Sequence, residues 1–173
     1  NLSVKQQNKW RSRYSIKSEF EAKYTFYDLG YNFRPTEITG FLGLYQLQFL
    51  DSNIFKRQQN YLRVESTIIE NDELIALRHS HLKVLSTFAM PILCKTKELR
   101  RKYVDQFAGA GIEIRPMIAG NMTKQPFFHK YVETIFSLPN TDFIHENGFY
   151  CGNYPELNES DLKTIESCLI KLN

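Results

Sequence analysis

The sequence lacks any apolar run approaching the ~20 residues that a membrane-spanning helix requires, and it shows no signal-peptide pattern. Positive and negative charges nearly balance, because the formal net charge is only +3. Nucleic-acid-binding domains, by contrast, usually carry a concentrated basic patch. The three cysteines, Cys94, Cys151 and Cys168, are odd in number, widely spaced and form no Cys-x-x-Cys pair. We therefore expect a cytoplasmic protein with reduced thiols, no membrane segment and no nucleic-acid partner.

The composition itself is that of a globular chain. Its 173 residues are 42% hydrophobic and 14% aromatic, which suffices for one domain with a substantial core. Internal repeats and low-complexity tracts are absent from the sequence. The chain begins at Asn1 without an initiator methionine, so we expect it to be part of a longer polypeptide.

The stretch 23–50 organises the sequence: an aromatic-rich extended segment leads through a Gly-Tyr-Asn turn into a helix. Pro35 suits the first helical position because its missing N–H would be unpaired there, and Glu37 adds negative charge to the first turn. Apolar residues then recur at helical spacing, namely Ile38, Phe41, Leu42, Tyr45 and Phe49. Other apolar and glycine positions lie off this stripe, namely Leu44, Leu47, Gly40 and Gly43. The pattern predicts a helix buried on more than one side, with another backbone close to the glycines, as at a domain or subunit junction.

Asn32 and Arg34 lie just before this helix and could together hold a phosphate. Backbone N–H groups, the positive end of the helix dipole and a bidentate guanidinium converge there. On local chemistry alone, an ordinary turn beside a surface arginine is the better interpretation, since Asn after Gly is common in turns.

Spacing and cap signals predict the other elements. We expect a loop or frayed arm over 1–16, a strand or extended arm over 20–29, a second helix capped around 51–53, strands over 85–94, 112–118 and 149–153, and helices over 95–110 and 159–172. Pro91 favours an edge position for its strand. His79 and His81 lie in a predicted solvated turn and no metal site is expected there, because no acidic or cysteine partner stands near in sequence. Strands and helices mix without a βαβ period, so we predict an α+β fold: a small antiparallel sheet with helices on one face.

The run LGYNFRPTEITGFLGLYQLQFLD resembles a segment of the DegT/DnrJ/EryC1/StrS family, pyridoxal-phosphate enzymes that act on nucleotide-linked sugars. ILCKTKELRRKYVDQFAGAGIEIRPMI is similar to the family's strand–helix–strand unit, and the resemblance continues from Phe20 to the C-terminus. It implies the C-terminal small domain of a fold-type I enzyme. Residues 1–34 would be the tail of the large cofactor domain with the turn, 35–80 the connecting helices, and 81–173 the small α+β domain.

The resemblance also implies a cofactor, pyridoxal or pyridoxamine 5'-phosphate, and a homodimer with shared active sites. In the family, the Asn of the Gly-Tyr-Asn turn reaches the cofactor phosphate of the neighbouring subunit. Asn32 would take that role here, and Arg34 would assist it. The family's catalytic Lys or His lies upstream of this turn, so we expect it before Asn1 and expect this chain alone to be inactive.

The run RPMIAGNMTKQPF departs from the aminotransferases of the family, which usually carry a Pro-x-His element before Gln-Pro. It resembles the sugar 3-dehydratase branch, which acts on nucleotide-linked 4-keto-6-deoxyhexoses, and GFYCGNYPEL looks similar to that branch as well. The resemblance implies substrate contacts from Arg115, Gly120 and Asn121: a guanidinium for a phosphate or keto oxygen, a close backbone approach, and an amide for sugar hydroxyls. From the residues alone, Gly-Asn is merely a turn.

Three functions are therefore carried forward. The first is a 4-keto-6-deoxyhexose 3-dehydratase of deoxysugar and lipopolysaccharide O-antigen biosynthesis. The second is a nucleotide-sugar aminotransferase of the same family. The third, from a different class, is a non-catalytic dimerisation or binding module that uses the sheet and the basic helix around 95–102.

Overall fold

The computed structural model describes residues 3–30 and 36–171. The helices are α1 (Val4–Arg13), α2 (Glu19–Ala22), α3 (Glu37–Leu47), α4 (Leu50–Glu70), α5 (Lys97–Gly109), α6 (Pro126–Tyr131), α7 (Pro139–Asn147) and α8 (Glu159–Ser167). The strands are β1 (Ala89–Leu93), β2 (Ile114–Pro116) and β3 (Gly148–Gly152), and a 3-10 turn covers Met122–Lys124. In these ranges no helix is both long and apolar enough to cross a bilayer.

The three strands form one antiparallel sheet in the order β1-β3-β2. In the shared register Tyr150 of β3 lies between Pro91 of β1 and Arg115 of β2. Pro91 is therefore on an edge strand, where its missing N–H costs no central ladder bond, and the edge prediction is confirmed. The predicted α+β class is confirmed too.

The two faces of the sheet differ in what covers them. Side chains alternate between faces along a strand, and one face joins the helices in a core of Met90, Ile92, Ile114, Phe149, Cys151, Val64, Ile68, Tyr103, Phe107, Leu162, Ile165 and Leu169. The opposite face carries Pro91, Tyr150 and Arg115. The N-terminal segment crosses near it, since Lys23 Nζ donates to the Ile114 carbonyl at 2.7 Å and Tyr24 bonds to Tyr150, and the Phe88 ring meets Tyr150 edge-on. The second face is thus the one on which polar chemistry can be displayed.

Local caps explain where α5 and α8 begin and end. The Thr96 hydroxyl accepts from the Leu99 N–H at the start of α5, and Gly111 follows its end with φ of 75°. Asn158 and Asp161 form a reciprocal capping box on α8. Both helices were predicted, with ends that the structure shortens by a few residues.

Three predicted elements are corrected. Residues 4–13 are helical rather than a loop, because Ser3 and Gln6 form a capping box. The predicted strand over 20–29 is instead α2 followed by irregular backbone, and α4 begins at Leu50, before the predicted caps around 51–53. Helices α6 and α7 were not predicted at all. Each begins with a proline in its first turn, a start signal that the sequence contains.

The predicted solvated turn at 78–81 is also corrected at His79. Its Nε2 lies 2.8 Å from both carboxylate oxygens of Glu65, a buried residue of α4, and its ring meets Tyr61 edge-on at 5.8 Å. The pair fastens the long connection after α4 back onto that helix. Glu65 stands 14 residues upstream, too far for local spacing to reveal it.

Helix α3, predicted to be buried as at a domain or subunit junction, is not covered within the described chain. Every residue from Glu37 to Leu47 is exposed, including Phe41 at 73% and Leu44 at 73%, and nothing lies within 4 Å of a Cβ placed on Gly40 or Gly43. The helix starts with the Thr36 hydroxyl accepting from the Thr39 N–H. The apolar surface of α3 therefore has no cover from the described chain itself.

Candidate functional site

The predicted cofactor residues Asn32 and Arg34 lie outside the described residues. The segment that precedes them is described as far as Gly30, and Asp28 anchors it. Its carboxylate accepts from Tyr131 Oη at 2.7 Å and from Lys130, and it also accepts from the Leu29 N–H at 2.9 Å. These bonds hold the pKa of Asp28 at about 2, so the anchor is ionised at every pH near neutral.

Arg115 is in the middle of β2, on the sheet face away from the helices, with 47% of its side chain exposed. Its Nε and Nη2 both donate to Glu113 Oε1, at 3.0 and 2.7 Å. The bond to Glu113 raises the pKa of Arg115, so the group is a permanent cation. Placement on an accessible face of the sheet fits the predicted ligand contact, which stays a prediction.

A tyrosine pair extends this polar patch. Tyr24 Oη and Tyr150 Oη lie 2.7 Å apart, and the Arg115 guanidinium also interacts with the Tyr24 hydroxyl through a hydrogen bond and its charge. The hydrogen bond with Tyr150, aided by Arg115, lowers the pKa of Tyr24, whereas burial raises the pKa of Tyr150 to about 12. Either hydroxyl can donate to the other. Neither tyrosine was predicted to be functional.

Gly120 occupies a turn that admits no side chain. Its φ is +53°, Ala119 before it has φ of +55°, and the Gly120 N–H donates to the Met117 carbonyl at 3.0 Å. A Cβ on Gly120 would stand 2.0 Å from His145 Nδ1. In this chain the imidazole of His145 approaches Gly120 closely, and the approach of a ligand to Gly120 stays a prediction.

Asn121 is buried and its amide is used inside the fold. Nδ2 donates to Asp142 Oδ1 at 2.8 Å, and Oδ1 accepts from Thr123 N–H at 2.9 Å and Thr123 Oγ1 at 2.7 Å. The Asn121 N–H donates to His145 Nδ1 at 3.2 Å. The residue that we predicted to contact sugar hydroxyls thus holds the shape of the turn, and a substrate contact by Asn121 stays a prediction.

Gln125, the Gln of the QPFF run, joins the turn to the N-terminal segment. Its Oε1 accepts from the Phe26 N–H at 2.9 Å, while Nε2 donates to the carbonyls of Tyr24 at 3.1 Å and Ala119 at 2.9 Å. The side chain is buried, and two of its three hydrogen bonds reach the N-terminal segment, 99 and 101 positions earlier in the sequence. The sequence marked the motif but contained no signal for these partners.

Replacement of Gln125 by Leu should lower the free energy of unfolding by about 1–3 kcal/mol, because three backbone groups lose their partner in a buried place. Urea denaturation followed by circular dichroism would measure this loss. Gln59→Leu is the matched control, since Gln59 is exposed on α4 and its replacement should change stability by less than ~0.5 kcal/mol. Equal effects of the two replacements would contradict the bridging role.

His145 lies beside the Gly120 turn. It lines a cavity of about 380 Å³ with Tyr24, Ala119, Gln125 and His129. Burial lowers the pKa of His145. The neutral form also suits the geometry, because Nδ1 must be unprotonated to accept from the Asn121 N–H. The turn therefore depends on an imidazole that stays neutral.

This linkage predicts a pH dependence of stability. Since the pKa of His145 is lower in the folded state than in the unfolded chain, its contribution is complete above the unfolded value of ~6.5 and is lost as pH falls through the folded pKa. In His145→Asn the amide oxygen can accept the same bond without titrating. We expect urea denaturation of this variant to show a smaller loss of stability between pH 6.5 and 5 than the parent. Identical pH profiles would show that His145 is not the group responsible.

Other chemistry expected of such sites is not found in the part of the chain that the structure describes. No group of three or more His, Cys, Asp or Glu is arranged to hold a metal ion there. The three cysteines are buried free thiols, and burial raises the pKa of both Cys94 and Cys151 to about 12. These thiols are core residues rather than nucleophiles.

Known proteins of one family are similar to this chain. The model of the DegT/DnrJ/EryC1/StrS aminotransferase family matches residues 3–170. The lipopolysaccharide biosynthesis protein RfbH of Salmonella typhimurium strain LT2 is 31% identical over 161 residues, which is 88% of this chain and 36% of that protein. The GDP-4-keto-6-deoxy-D-mannose 3-dehydratase of Escherichia coli O55:H7 is 28% identical over 138 residues, which is 79% of this chain and 36% of that protein.

The fold matches as well. The solved structure of E. coli GDP-4-keto-6-deoxy-D-mannose-3-dehydratase with bound hydrated PLP superposes with a TM-score of 0.69 at 25% identity, over 88% of this chain and 40% of that one. The chain thus spans between 36% and 40% of the length of these three proteins. Because the family model covers nearly all of the sequence, the protein belongs to the DegT/DnrJ/EryC1/StrS aminotransferase family.

Proposed function

We propose that the complete protein is a pyridoxal- or pyridoxamine-phosphate-dependent 3-dehydratase of nucleotide-linked 4-keto-6-deoxyhexoses, in deoxysugar and lipopolysaccharide biosynthesis. One observation carries the proposal: two relatives named 3-dehydratases, one curated and one a solved structure, match 79% and 88% of this chain. The departure from the Pro-x-His pattern supports the same branch, because the run RPMIAGNMTKQPF resembles that branch. The chain would contribute binding and positioning groups, and the catalytic Lys or His would lie elsewhere in the complete protein.

The residues of this chain fit the cofactor in their donor chemistry. Asn32 and Arg34, an amide and a guanidinium, directly follow the segment that Asp28 and Gln125 fasten to α6. Such donors suit a phosphate group. When bound, pyridoxal phosphate supplies an electron sink, and the protein orients the reacting groups.

Substrate contacts would come from the open face of the sheet and its adjoining turn. Arg115 would pair with a phosphate or keto oxygen, because its guanidinium is accessible and permanently charged. Gly120 and Asn121 would define the edge of the sugar site through their backbone. In this proposal 1–34 is the end of the cofactor domain, 35–80 the connecting helices and 81–173 the small domain.

A homodimer with shared sites is part of the proposal, and the uncovered surface of α3 supports it. Phe41→Asp places a charge in the centre of that apolar surface and should shift the complete protein from dimer to monomer in sedimentation velocity. Lys56→Asp, on the exposed side of α4, is the control and should leave the dimer intact. A dimer unaffected by Phe41→Asp would remove α3 from the interface.

An aminotransferase of the same family is the alternative, favoured by the family's own name. A non-catalytic dimerisation or binding module is the second alternative, since the chain alone is expected to contain no catalytic residue. The complete protein separates these when it is incubated with pyridoxal phosphate, reduced with borohydride and mapped by peptide mass spectrometry. Retained cofactor without a modified lysine is expected. One modified lysine would identify an aminotransferase, and failure to retain any cofactor would leave the module.

A further inference from the structure

Helix α7 lies against the Gly120 turn and holds it at one residue, Asn121. Asp142 and His145 are three positions apart on α7, so their side chains lie on the same side of the helix. The Asn121 N–H donates to His145 Nδ1 at 3.2 Å, and Asn121 Nδ2 donates to Asp142 Oδ1 at 2.8 Å. The main chain and the side chain of Asn121 are therefore both bonded to α7.

These bonds fix the peptide group that joins Gly120 to Asn121. Oδ1 of Asn121 accepts from Thr123, its carbonyl accepts from the Lys124 N–H at 3.0 Å, and the residue is 2% exposed, so it is held in one orientation. A trans peptide is planar, and its N–H and its carbonyl point in opposite directions. Since the Asn121 N–H points at His145, the Gly120 carbonyl is directed away from His145.

Helix α7 is itself fixed to the sheet. The helix ends where the central strand β3 begins, at Gly148, so no loop separates the two elements. A Cβ on Gly148 would stand 2.7 Å from the Ile144 carbonyl, so only glycine fits this junction without a shift of the backbone. Arg100 of α5 donates through Nε to the Gly148 carbonyl at 3.0 Å. The Gly120 turn is thereby held in place relative to the sheet and to Arg115 on its open face.

Ion pairs also connect α7 to the turn and to α5. Lys124 Nζ, of the 3-10 turn, pairs with Asp142 Oδ1 at 2.7 Å and with Glu146 Oε1 at 3.1 Å. Glu146 Oε2 pairs with Lys97 of α5 at 2.8 Å. At least a third of each of these side chains is exposed, so the pairs contribute little to stability by themselves. The bond from Lys124 lowers the pKa of Asp142, so near neutral pH Asp142 is ionised and accepts from Asn121.

We infer that Asp142 and His145 are positioning residues for the substrate, because together they set the direction of the Gly120 peptide at the edge of the sugar site. The inference rests on the proposed function, which makes the Gly120 backbone part of that site. Both residues act through Asn121 and not on the reacting atoms. Substrate affinity then depends on two acceptors at fixed places on α7 and not on the charge of the helix.

The bond to His145 makes this positioning sensitive to pH, since a protonated Nδ1 cannot accept from the Asn121 N–H. The charged groups around the imidazole are Glu21 of α2, Arg100 of α5, Lys124 of the 3-10 turn, and Asp142 and Glu146 of α7. Tyr24 and His129 line the same cavity. Cations and anions oppose each other there, so burial decides the direction and lowers the pKa of His145. Positioning is therefore complete above the unperturbed value of ~6.5 and is lost as the pH falls through the folded pKa.

The test measures initial rates of the complete protein with its cofactor, on 4-keto-6-deoxyhexoses linked to GDP, CDP, UDP or dTDP. Asp142→Ala and His145→Ala should each raise KM by ~10-fold or more with a smaller change in kcat, because the sugar site loses its shape. Asp142→Asn and His145→Asn keep an acceptor oxygen in place, so near neutral pH their KM should stay within ~3-fold of the parent value. Glu133→Ala and His81→Ala change exposed side chains of similar type and should leave KM unchanged.

A pH profile separates positioning from stability. Partial unfolding reduces the amount of active enzyme and so lowers the apparent kcat, whereas the KM of the molecules that stay folded is unchanged. The KM of the parent should rise as the pH falls from ~6.5 to ~5, and the KM of His145→Asn should stay nearly level. This comparison uses no alanine variant, so it tests the inference even if those variants do not fold.

Unchanged KM in Asp142→Ala or in His145→Ala overturns the inference for that residue. Parallel pH profiles of the parent and His145→Asn also overturn it for His145. A rise of KM in the asparagine variants as large as in the alanine variants overturns it for both, since the acceptor would then not be the group that matters. In each of these results the parent is active and the proposed function stands. A parent that retains its cofactor and converts none of the four substrates contradicts the proposed function, and the inference with it.

Discussion

Replacement of Phe107 by Ala is expected to lower the free energy of unfolding by about 3–5 kcal/mol, through lost burial and the cavity that remains. Phe107 is fully buried on α5, and its ring meets Phe149 of β3 edge-on with centroids 5.3 Å apart. The pair joins the helix layer to the central strand. Urea denaturation followed by circular dichroism would show the loss as a lower midpoint with an unchanged slope.

Phe55→Ala provides the matched control for this prediction. Phe55 lies on α4 with 60% of its surface exposed, so the same change of side chain should cost less than ~0.5 kcal/mol. A loss below ~1 kcal/mol in Phe107→Ala would contradict the assignment of Phe107 to the core, because losses that small are typical of exposed side chains. The comparison separates burial from the loss of an aromatic ring as such.

The sequence predicted this core well where spacing is local. Leu99, Tyr103 and Phe107 recur every four residues, and two of the three are fully buried on α5. Asn158 caps α8 directly before the predicted helix over 159–172, and Pro91 lies on an edge strand as predicted. Each of these signals depends on residues within a few positions of one another, which is the range over which helix and strand periodicity operates.

The failures have the opposite cause, because distant partners decide the structure there. The aromatic segment 20–29 alternates like a strand, yet Tyr24 and Phe26 give their backbone bonds to Gln125, about 100 positions later, instead of to a sheet. His79 likewise bonds to Glu65, a partner 14 positions away that local spacing does not predict. By contrast, the α1 helix was missed although its Ser3–Gln6 capping signal is local, so that error was avoidable.

Helix α3 shows a third limit. The spacing of its apolar residues correctly predicted a helix. Hydrophobic residues on several sides of a helix indicate only that its surface is buried against another element. They do not indicate which chain provides that cover. Within the described chain no cover exists, and in the proposed dimer a second copy would provide it.

The candidate site was only partly predictable. Resemblance led to Arg115, Gly120 and Asn121, and the structure brings Gly120 and Asn121 together at His145 while placing Arg115 beside Tyr24 and Tyr150. The tyrosines and His145 lie far from these residues in sequence. Their roles follow from the register of β3 with β2 and from the packing of α7, which no local pattern encodes.

Replacement of Gly120 by Ala is the second large effect expected. The new methyl group would stand 2.0 Å from His145 Nδ1, in a backbone with φ of +53° that L-residues adopt only under strain. Overpacking and backbone strain together should lower the free energy of unfolding by about 2–5 kcal/mol. The same urea denaturation would measure it, since the turn is part of the cooperative fold.

A double-mutant cycle with His145→Ala divides this loss into its two causes. Removing the imidazole relieves the clash but not the strained φ, so Gly120→Ala in the His145→Ala background should cost only about 1–2 kcal/mol. The coupling between the two sites would then measure how tightly His145 closes the turn. Equal costs in both backgrounds would show that the ring yields freely. The approach at Gly120 would then be open to a ligand, as the resemblance first implied, instead of being filled by the protein's own side chain.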